Sequence, residues 1–214
     1  AAAIIGQKKN SVGLTLKVNE QVLIPRPDTE TWLEKVIQYY RNETGLKVAD
    51  LGTGSGAILV GFLYYCRDAV GVGVDISTEA LKIAEENGQN LKITDRVEWR
   101  QGDYLKAFDE EDIFDGIFSN PPYIPTKDIG GLSREVKHEP RLALDGGTDG
   151  LYFYHLLAKG AAEHLKPGGF LAVEFGIGQA TDILEMFRKS AQYEDFEVIK
   201  DYGGIERALY CRKK

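Results

Sequence analysis

Short apolar runs alternate with longer segments of helical spacing along most of the chain, starting near Lys47. This alternation is typical of strand–helix–strand units that build a parallel β-sheet. Seven strands are predicted, at Val48–Leu51, Val70–Val74, Val97–Arg100, Phe114–Ser119, Phe170–Glu174, Phe196–Ile199 and Arg207–Cys211. Helices are predicted between them at Ala57–Cys66, Thr78–Asn87, Leu151–Leu165 and Gly178–Lys189. The pattern therefore predicts an α/β fold with a seven-stranded, mostly parallel sheet.

Both ends of the chain depart from this alternation. Only Gly203, Gly204 and a few neighbours separate the last two predicted strands, which is too short for a crossover helix, so we expect this pair to be antiparallel. Near the N-terminus, Leu14–Val18 and Val22–Ile24 flank a polar turn and predict a β-hairpin. The proline-rich stretch from Pro25 to Thr29 then stops the strand and begins a helix.

Composition places the chain among globular proteins. Of its 214 residues, 43% are apolar and 28% charged, with 24 glycines and 7 prolines, which disfavours disorder and collagen-like repeats. Its 26 basic and 33 acidic side chains give a net charge of −7, which argues against a broad electrostatic contact with nucleic acid or an anionic membrane. No apolar stretch approaches the roughly 18 residues of a membrane span. With only two cysteines, we expect a protein of the reducing cytoplasm without a membrane anchor.

A glycine-rich segment follows the first predicted parallel strand and opens a helix. It contains Gly52, Thr53, Gly54, Ser55 and Gly56, and it departs from the dinucleotide spacing G-x-G-x-x-G while keeping its strand–turn–helix context. Glycines in such a turn let the backbone approach a ligand closely. The segment therefore predicts a nucleotide-like cofactor site, with a purely structural turn as the alternative.

Acidic and aromatic residues follow the next two strands at the same sheet edge. Asp75 lies about twenty residues after the glycine segment, where a carboxylate can accept hydrogen bonds from both ribose hydroxyls or cap the following helix. Asp103 is a candidate acceptor for an adenine amino group, and Tyr104 a candidate to pack against its ring. A surface turn is the alternative for this second pair.

Asn120-Pro121-Pro122-Tyr123 is the most specific motif, directly after the fourth predicted strand. Two successive prolines fix the backbone and remove two N–H donors, leaving exposed carbonyls. A planar NH2 group needs two acceptors to orient its protons, and the Asn120 side-chain oxygen and the Pro121 carbonyl can supply them. Tyr123 can stack on the same plane. Because conjugation makes such a nitrogen a poor nucleophile, positioning it in line with an electrophilic methyl group would provide much of the rate acceleration.

Together these motifs resemble those of class I S-adenosylmethionine-dependent N-methyltransferases that act on a planar amine. Three further stretches, Val22–Glu30 (VLIPRPDTE), Glu139–Leu144 (EPRLAL) and Gly146–Leu151 (GGTDGL), resemble the protein-(glutamine-N5) methyltransferases that modify peptide chain release factors. The resemblance runs over nearly the whole chain. It implies the class I methyltransferase fold, with an antiparallel last strand and an N-terminal β-hairpin before the sheet.

The resemblance also implies a reaction and roles for the motif residues. S-adenosyl-L-methionine would be the cofactor, S-adenosyl-L-homocysteine the product, and the glutamine of a Gly-Gly-Gln loop in a release factor the acceptor. The glycine segment, Asp75 and Tyr104 would contact the cofactor, and the segment from Asn120 to Tyr123 would hold the glutamine. Arg26 would lie beside that pocket; its alternative is a surface ion pair with Asp28 or Glu30.

Alternative functions stay open at this stage. The Asn-Pro-Pro-Tyr motif alone is shared with DNA adenine-N6 methyltransferases, which would require base flipping and a phosphate-binding surface. A glutamine in a ribosomal protein is a closer alternative acceptor. A nucleotide-binding module without transfer activity is a third, and the intact motif argues against it.

The resemblance also gives an expectation for domain organisation. Residues 1–28 would form the hairpin and a substrate-side segment, and residues 29–214 the methyltransferase domain, without the small helical domain that the family carries before the hairpin. His138, His155 and His164 show no clustered ligand spacing, so no metal site is expected.

Overall fold

A seven-stranded sheet in the order β5-β4-β3-β6-β7-β9-β8 forms the centre of the computed structural model, which describes residues 7–132 and 139–214. The strands of this sheet are β3 Lys47–Leu51, β4 Val70–Asp75, β5 Val97–Gln101, β6 Phe114–Ser119, β7 Leu165–Glu174, β8 Tyr193–Lys200 and β9 Glu206–Lys213. The helices are α1 Pro27–Tyr40, α2 Ala57–Tyr65, α3 Thr78–Asn90, α4 Tyr152–Gly160 and α5 Ala180–Lys189. All seven predicted strands are confirmed, with longer bounds for most of them.

The sheet is parallel from β5 to β7 and antiparallel at its other edge. β9 pairs antiparallel with both β7 and β8, which confirms the prediction from the short Gly203-Gly204 connection. β3 lies between β4 and β6, so the chain runs outward from β3 in one direction and then returns to the other side of it. Ligands of open α/β sheets bind at the carboxyl ends of the strands beside such a reversal.

The N-terminal hairpin is present, but its predicted partner strand was wrong. β2 (Leu14–Val18) pairs with β1 (Gln7–Ser11), and Val22–Ile24 forms no strand. Val12 and Gly13 make the turn with φ values of 44° and 78°, the left-handed region that two-residue hairpin turns require. The apolar run at Val22 is used instead to line a cavity and to pack against α3.

Apolar side chains cover both faces of the sheet. On one face, Trp32 and Leu33 of α1 and Phe62 of α2 pack against Phe118 and Phe170 of the sheet. On the other, the buried side chains of α4 and α5 form a second core with members such as Tyr154, Leu157, Ile183 and Phe187. Because both faces are covered, the open edge at the carboxyl ends of the strands is left as the place for a ligand.

Asn87 ties the hairpin to the glycine segment. Its side-chain oxygen accepts from the backbone N–H of Lys17 at 2.6 Å, and its Nδ2 donates to the carbonyls of Lys17 (3.0 Å) and Ser55 (2.8 Å). The Asn87 side chain is 1% exposed, so these bonds are sealed from solvent. One side chain of α3 therefore holds two segments that are far apart in sequence.

Replacing Asn87 by alanine should lower the free energy of unfolding by about 2–3 kcal/mol, because buried backbone groups of the hairpin and glycine segment lose their partner. Urea denaturation followed by circular dichroism measures this difference. Asn90→Ala, at an exposed position of the same helix, is the matched control. Equal midpoints for the two variants would contradict the assigned role.

Candidate active site

The glycine segment makes a tight turn between β3 and α2. Gly52, Gly54 and Gly56 have φ values of 70°, 56° and 79°, which residues other than glycine rarely adopt. A Cβ at Gly56 would also lie 3.0 Å from both Ala84 and Trp99. The backbone N–H of Thr53 donates to the carbonyl of Val74 at 2.8 Å, which joins the turn to the end of β4. The turn therefore presents backbone at the carboxyl edge of the sheet, as the sequence predicts.

Asp75 organises this turn as well as facing the cavity. One carboxylate oxygen accepts from the backbone N–H of Gly54 and the other from that of Ser77, both at 2.9 Å. Burial raises the pKa of Asp75, while the backbone hydrogen bonds oppose that shift. The cap of α3 is provided by Ser77, whose hydroxyl accepts from the N–H of Ala80. Each Asp75 oxygen keeps a free lone pair for a ligand hydroxyl.

Asp50 lies behind the glycine turn and is 1% exposed. Its Oδ2 accepts from the Thr53 hydroxyl at 2.8 Å, whereas its Oδ1 has no hydrogen-bond partner in the part of the chain that the structure describes. Burial raises the pKa of Asp50 to about 7, with a further upward contribution from the charge of Asp75. A buried acceptor without a partner is costly, and Asp50 is not among the residues that line the cavity.

Tyr104 forms part of the cavity floor. Its hydroxyl donates to Ser119 Oγ at 2.6 Å, because the single Ser119 proton is used on the carbonyl of Leu51. The ring packs edge-on against Phe153 with centroids 5.0 Å apart. The Asp103 side chain is 60% exposed and borders the same cavity. Both residues thus reach the position that the sequence predicts for them.

Asn120 provides a buried acceptor directly after β6. Its Oδ1 is sealed from solvent and has no partner among residues 7–132 and 139–214. Asn120 and Pro122 line the cavity, while Pro121 is buried. The ring of Tyr123 packs against Gly176, where an added Cβ would come within 2.8 Å of it, and the Tyr123 carbonyl accepts from Gln179 Nε2 at 3.1 Å. The structure therefore uses Tyr123 to hold the backbone of the motif in place.

These residues surround one cavity of about 330 Å³ at the carboxyl edge of the sheet. This volume lies within the range of small-molecule sites, roughly 300–1,000 Å³. Nine of the predicted site residues line this cavity: Gly52, Thr53, Gly54, Ser55, Asp75, Asp103, Tyr104, Asn120 and Pro122. Gly56 begins α2 just behind the turn.

Comparison with known proteins identifies the family. A family model described as a methyltransferase domain matches residues 42–174. The release factor glutamine methyltransferase of Bradyrhizobium diazoefficiens is 44% identical over 205 residues, which cover 94% of this chain and 68% of that protein. That of Moorella thermoacetica is 41% identical over 203 residues, covering 95% and 71%. The chain belongs to the release factor glutamine methyltransferases.

The fold of this chain also matches solved structures. A methyltransferase from Pyrococcus furiosus superposes with a TM-score of 0.67 at 21% identity, covering 94% of this chain and 89% of that one. Together with the strand order, this confirms the class I methyltransferase fold that the sequence motifs imply.

Arg26 pairs with Glu139 instead of Asp28 or Glu30. Its Nη2 donates to both carboxylate oxygens of Glu139, at 2.8 and 2.9 Å, and the Glu139 side chain is 1% exposed. Burial raises the pKa of Glu139, and the Arg26 guanidinium opposes that shift. Asp28 instead approaches Arg207 at 3.4 Å. Arg26 thus connects the start of α1 to the segment that carries Pro140, Leu142 and Ala143 into the cavity wall.

Sequence reasoning missed several parts of this wall. Residues 21–25, Thr29 and Phe153 line the cavity, together with the segment 140–143. The proline-containing stretch around Pro25 was noted for its resemblance, but its pattern gave no sign that it covers the glycine turn. Residues 21–25 lie about thirty positions before the glycine turn and Pro140 more than eighty after it, and periodicity does not report contacts over such separations.

Among the described residues, no helix has the length and apolar character that would let it cross a bilayer, and no group of three or more His, Cys, Asp or Glu side chains is arranged to hold a metal ion. His138 lies outside the described residues. His164 packs instead against Phe108 and hydrogen-bonds the carbonyl of Asp112.

Replacing Asp50 by asparagine should stabilise the ligand-free protein more at pH 8 than at pH 5. The folded-state pKa of Asp50 is about 7, above the usual 3.8. Ionisation of Asp50 therefore lowers the free energy of unfolding of the wild type as the pH rises between these two values. A pKa difference of one corresponds to about 1.4 kcal/mol, so the advantage of the variant should grow by about 2–3 kcal/mol between the two pH values. Urea denaturation at each pH measures it; a pH-independent difference would contradict the assignment.

Proposed function

We propose that this protein transfers a methyl group from S-adenosyl-L-methionine to the side-chain amide nitrogen, N5, of the glutamine in the Gly-Gly-Gln loop of peptide chain release factors. The observation that carries the proposal is the buried, unpartnered Oδ1 of Asn120 in the cavity of a family member. A sealed acceptor of this kind is tolerated where a ligand donor satisfies it. A primary amide offers such a donor.

The cofactor side of the site fits S-adenosyl-L-methionine. The backbone of Gly52 and Gly54 lets the ligand approach closely, Asp75 retains acceptor capacity for ribose hydroxyls, and Asp103 for the adenine amino group. When bound, the cofactor supplies a methyl group on a positively charged sulfur. S-adenosyl-L-homocysteine is the product that leaves.

The substrate side of the site orients a weak nucleophile. Asn120 Oδ1 accepts one amide proton and the Pro121 carbonyl the other, which fixes the plane of the NH2 group. Holding the nitrogen in one orientation removes much of the entropic cost of the reaction. Residues 21–25, together with Pro140, Leu142 and Ala143, form part of the wall around the proposed position of the methyl donor. Tyr123 holds the motif by its packing on Gly176.

Three smaller proposals accompany this one. Arg26 supports the glutamine pocket by anchoring the segment that begins at Glu139. Residues 1–28 form a substrate-side unit and residues 29–214 the catalytic domain. The protein works in the cytoplasm, where its acceptor is found.

Transfer of a labelled methyl group tests the proposal. An unmodified release factor, a variant of it with Gly-Gly-Ala in the loop and an adenine-containing DNA duplex are offered in parallel. We expect label on the intact release factor alone. Label on the duplex alone would overturn the acceptor and keep the methyl transfer, and label on a ribosomal protein from an added ribosome preparation would redirect the proposal to that substrate. Calorimetry with S-adenosyl-L-homocysteine confirms binding competence of the preparation.

A further inference from the structure

Glu174 is a buried carboxylate at the end of β7 to which the proposed mechanism gives no role. It is 3% exposed. Its Oε1 accepts two hydrogen bonds, from the Thr29 hydroxyl at 2.5 Å and from Trp32 Nε1 at 2.9 Å. Its Oε2 accepts none within the described ranges. Burying an acidic group behind a ligand cavity is costly, and this cost indicates a functional reason for the residue.

The sheet register places Glu174 beside Asn120. Ser119 of β6 pairs with Val173 of β7, so the residues that follow them stand at the same level on neighbouring strands, which are about 4.8 Å apart. Side chains alternate along a strand, and Phe118 and Ala172 face the α1 side. By the same alternation, Asn120 and Glu174 also face that side. The hydrogen bonds from α1 to Glu174 agree with this direction.

Thr29 connects this carboxylate to the cavity. The Thr29 side chain lines the cavity wall and donates its only hydroxyl proton to Glu174. A hydroxyl oxygen that donates its proton still has two lone pairs. Thr29 Oγ1 therefore keeps acceptor capacity on a residue of the cavity wall, and a carboxylate lies behind it.

Methylation of an amide nitrogen creates a need for such a group. The nitrogen that has gained a methyl group carries one proton too many, and it becomes a stable neutral amide only when that proton leaves. The Asn120 side-chain oxygen and the Pro121 carbonyl are amide oxygens and therefore very weak bases. Neither is suited to take the proton away.

We propose that Thr29 and Glu174 form the route by which the substrate amide loses its proton, with Thr29 touching the nitrogen and Glu174 acting as the base behind it. This inference rests on the proposed function. The nitrogen–carbon bond forms as the sulfur–carbon bond breaks, and the electron pair of that bond goes to sulfur. As the nitrogen becomes tetrahedral, one of its two protons leaves its acceptor, Asn120 Oδ1 or the Pro121 carbonyl, and moves to Thr29 Oγ1, while the Thr29 proton moves to Glu174 Oε1. A neutral N-methyl amide, a thioether and a carboxylic acid result.

The charges around Glu174 shift the pKa of its carboxyl group, and this pKa sets the pH dependence of kcat if Glu174 is the base. Burial raises the pKa of Glu174; the donors Thr29 and Trp32 lower it, Asp28 raises it and Arg207 lowers it. Tyr123, from the loop after β6, and Tyr154, whose hydroxyl donates to the Glu174 carbonyl, face it as neutral groups. The base is active when ionised, so kcat should rise with pH on an acidic limb and then level off.

Two near-isosteric variants test this route. Glu174→Gln and Thr29→Val should each lower kcat for release-factor methylation by roughly a hundredfold, at the lower end of the usual range for a general base, and Glu174→Gln should lose the acidic limb of the pH profile. Thr29→Ser keeps the hydroxyl and should retain most of the rate. KM for the release factor and the affinity for S-adenosyl-L-homocysteine should stay near wild type in all three, which separates this role from a structural one.

Asp28→Asn serves as a matched control that touches neither the cavity nor the proposed base. The Asp28 side chain is 39% exposed and pairs with Arg207. Removing its charge should move the acidic limb to lower pH while the plateau rate is kept. The same displacement should be visible without substrate, in the titration of the Glu174 carboxyl resonance in carbon-13 NMR.

The outcomes separate this inference from the proposed function. If the wild type does not label a release factor, the proposed function fails. If the wild type does and Glu174→Gln keeps both the rate and the acidic limb, the proton route is wrong. A variant with wild-type unfolding but lost S-adenosyl-L-homocysteine binding would instead assign Glu174 to the cofactor side, which also overturns the route.

Discussion

Replacing Asn120 by alanine is expected to reduce methyl transfer to a release factor by about 10²–10³-fold, similar to the loss of one preorganised hydrogen-bond partner in other enzymes. The variant removes the buried oxygen that has no partner among residues 7–132 and 139–214, and so takes away one of the acceptors that orient the substrate NH2. The Pro121 carbonyl alone cannot fix the plane of the amide. Single-turnover kinetics with saturating release factor and labelled S-adenosyl-L-methionine measures the effect on the chemical step.

Cofactor affinity should change little in the same variant, because the glycine turn and Asp75 are untouched. Calorimetric titration with S-adenosyl-L-homocysteine checks this. Asn120→Asp keeps the oxygen acceptors and should lie between wild type and Asn120→Ala in rate. A collapse of cofactor binding in Asn120→Ala would show that the division between cofactor and substrate residues is drawn in the wrong place.

Replacing Asp75 by alanine is expected to have the opposite pattern, with cofactor affinity weakened by about 1–3 kcal/mol. The carboxylate offers lone pairs to the ribose and also accepts the N–H of Gly54, so the variant loses a ligand contact and loosens the glycine turn. Asp95→Ala, at an exposed position outside the cavity, is the control.

A ribose-modified ligand separates the two roles of Asp75. The wild type should bind S-adenosyl-L-homocysteine more tightly than its 2′-deoxy analogue, whereas Asp75→Ala should bind the two about equally. If the variant still prefers the ribose compound by the wild-type factor, Asp75 supports the turn only. Unchanged affinity for both compounds would remove it from the cofactor site altogether.

Local signals in the sequence were sufficient for the sheet and for the glycine turn at the edge of the cavity. Strands buried on both faces read as continuous apolar runs, and the glycine turn, Asp75 and Asn120 each follow such a run directly. Their meeting at one edge then follows from the parallel arrangement. The predicted glycine turn is confirmed by positive φ values at Gly52 and Gly54.

Local sequence patterns could not predict the contacts between segments that are far apart in the chain. The hairpin partner was misassigned because Val22–Ile24 is apolar for a reason other than strand pairing: it lines the cavity. The Arg26–Glu139 pair spans 113 positions and the Thr29–Glu174 bond 145, so neither leaves a periodic signal. The resemblance places Arg26 beside the pocket, with a surface ion pair to Asp28 or Glu30 as the alternative, and neither prediction includes the buried carboxylate of Glu139 that folding brings to it.

The sequence separation between Thr29 and Glu174 has a consequence for biosynthesis. The glycine turn, Asp75 and Tyr104 all belong to the first half of the chain, while Glu139 and Glu174 leave the ribosome later. Arg26 and Thr29 are synthesised before these partners and cannot pair with them until residues 139 and 174 have been translated. A nascent chain therefore contains the whole glycine turn before it can form the Arg26–Glu139 and Thr29–Glu174 pairs, and a chain terminated before residue 174 lacks the buried carboxylate.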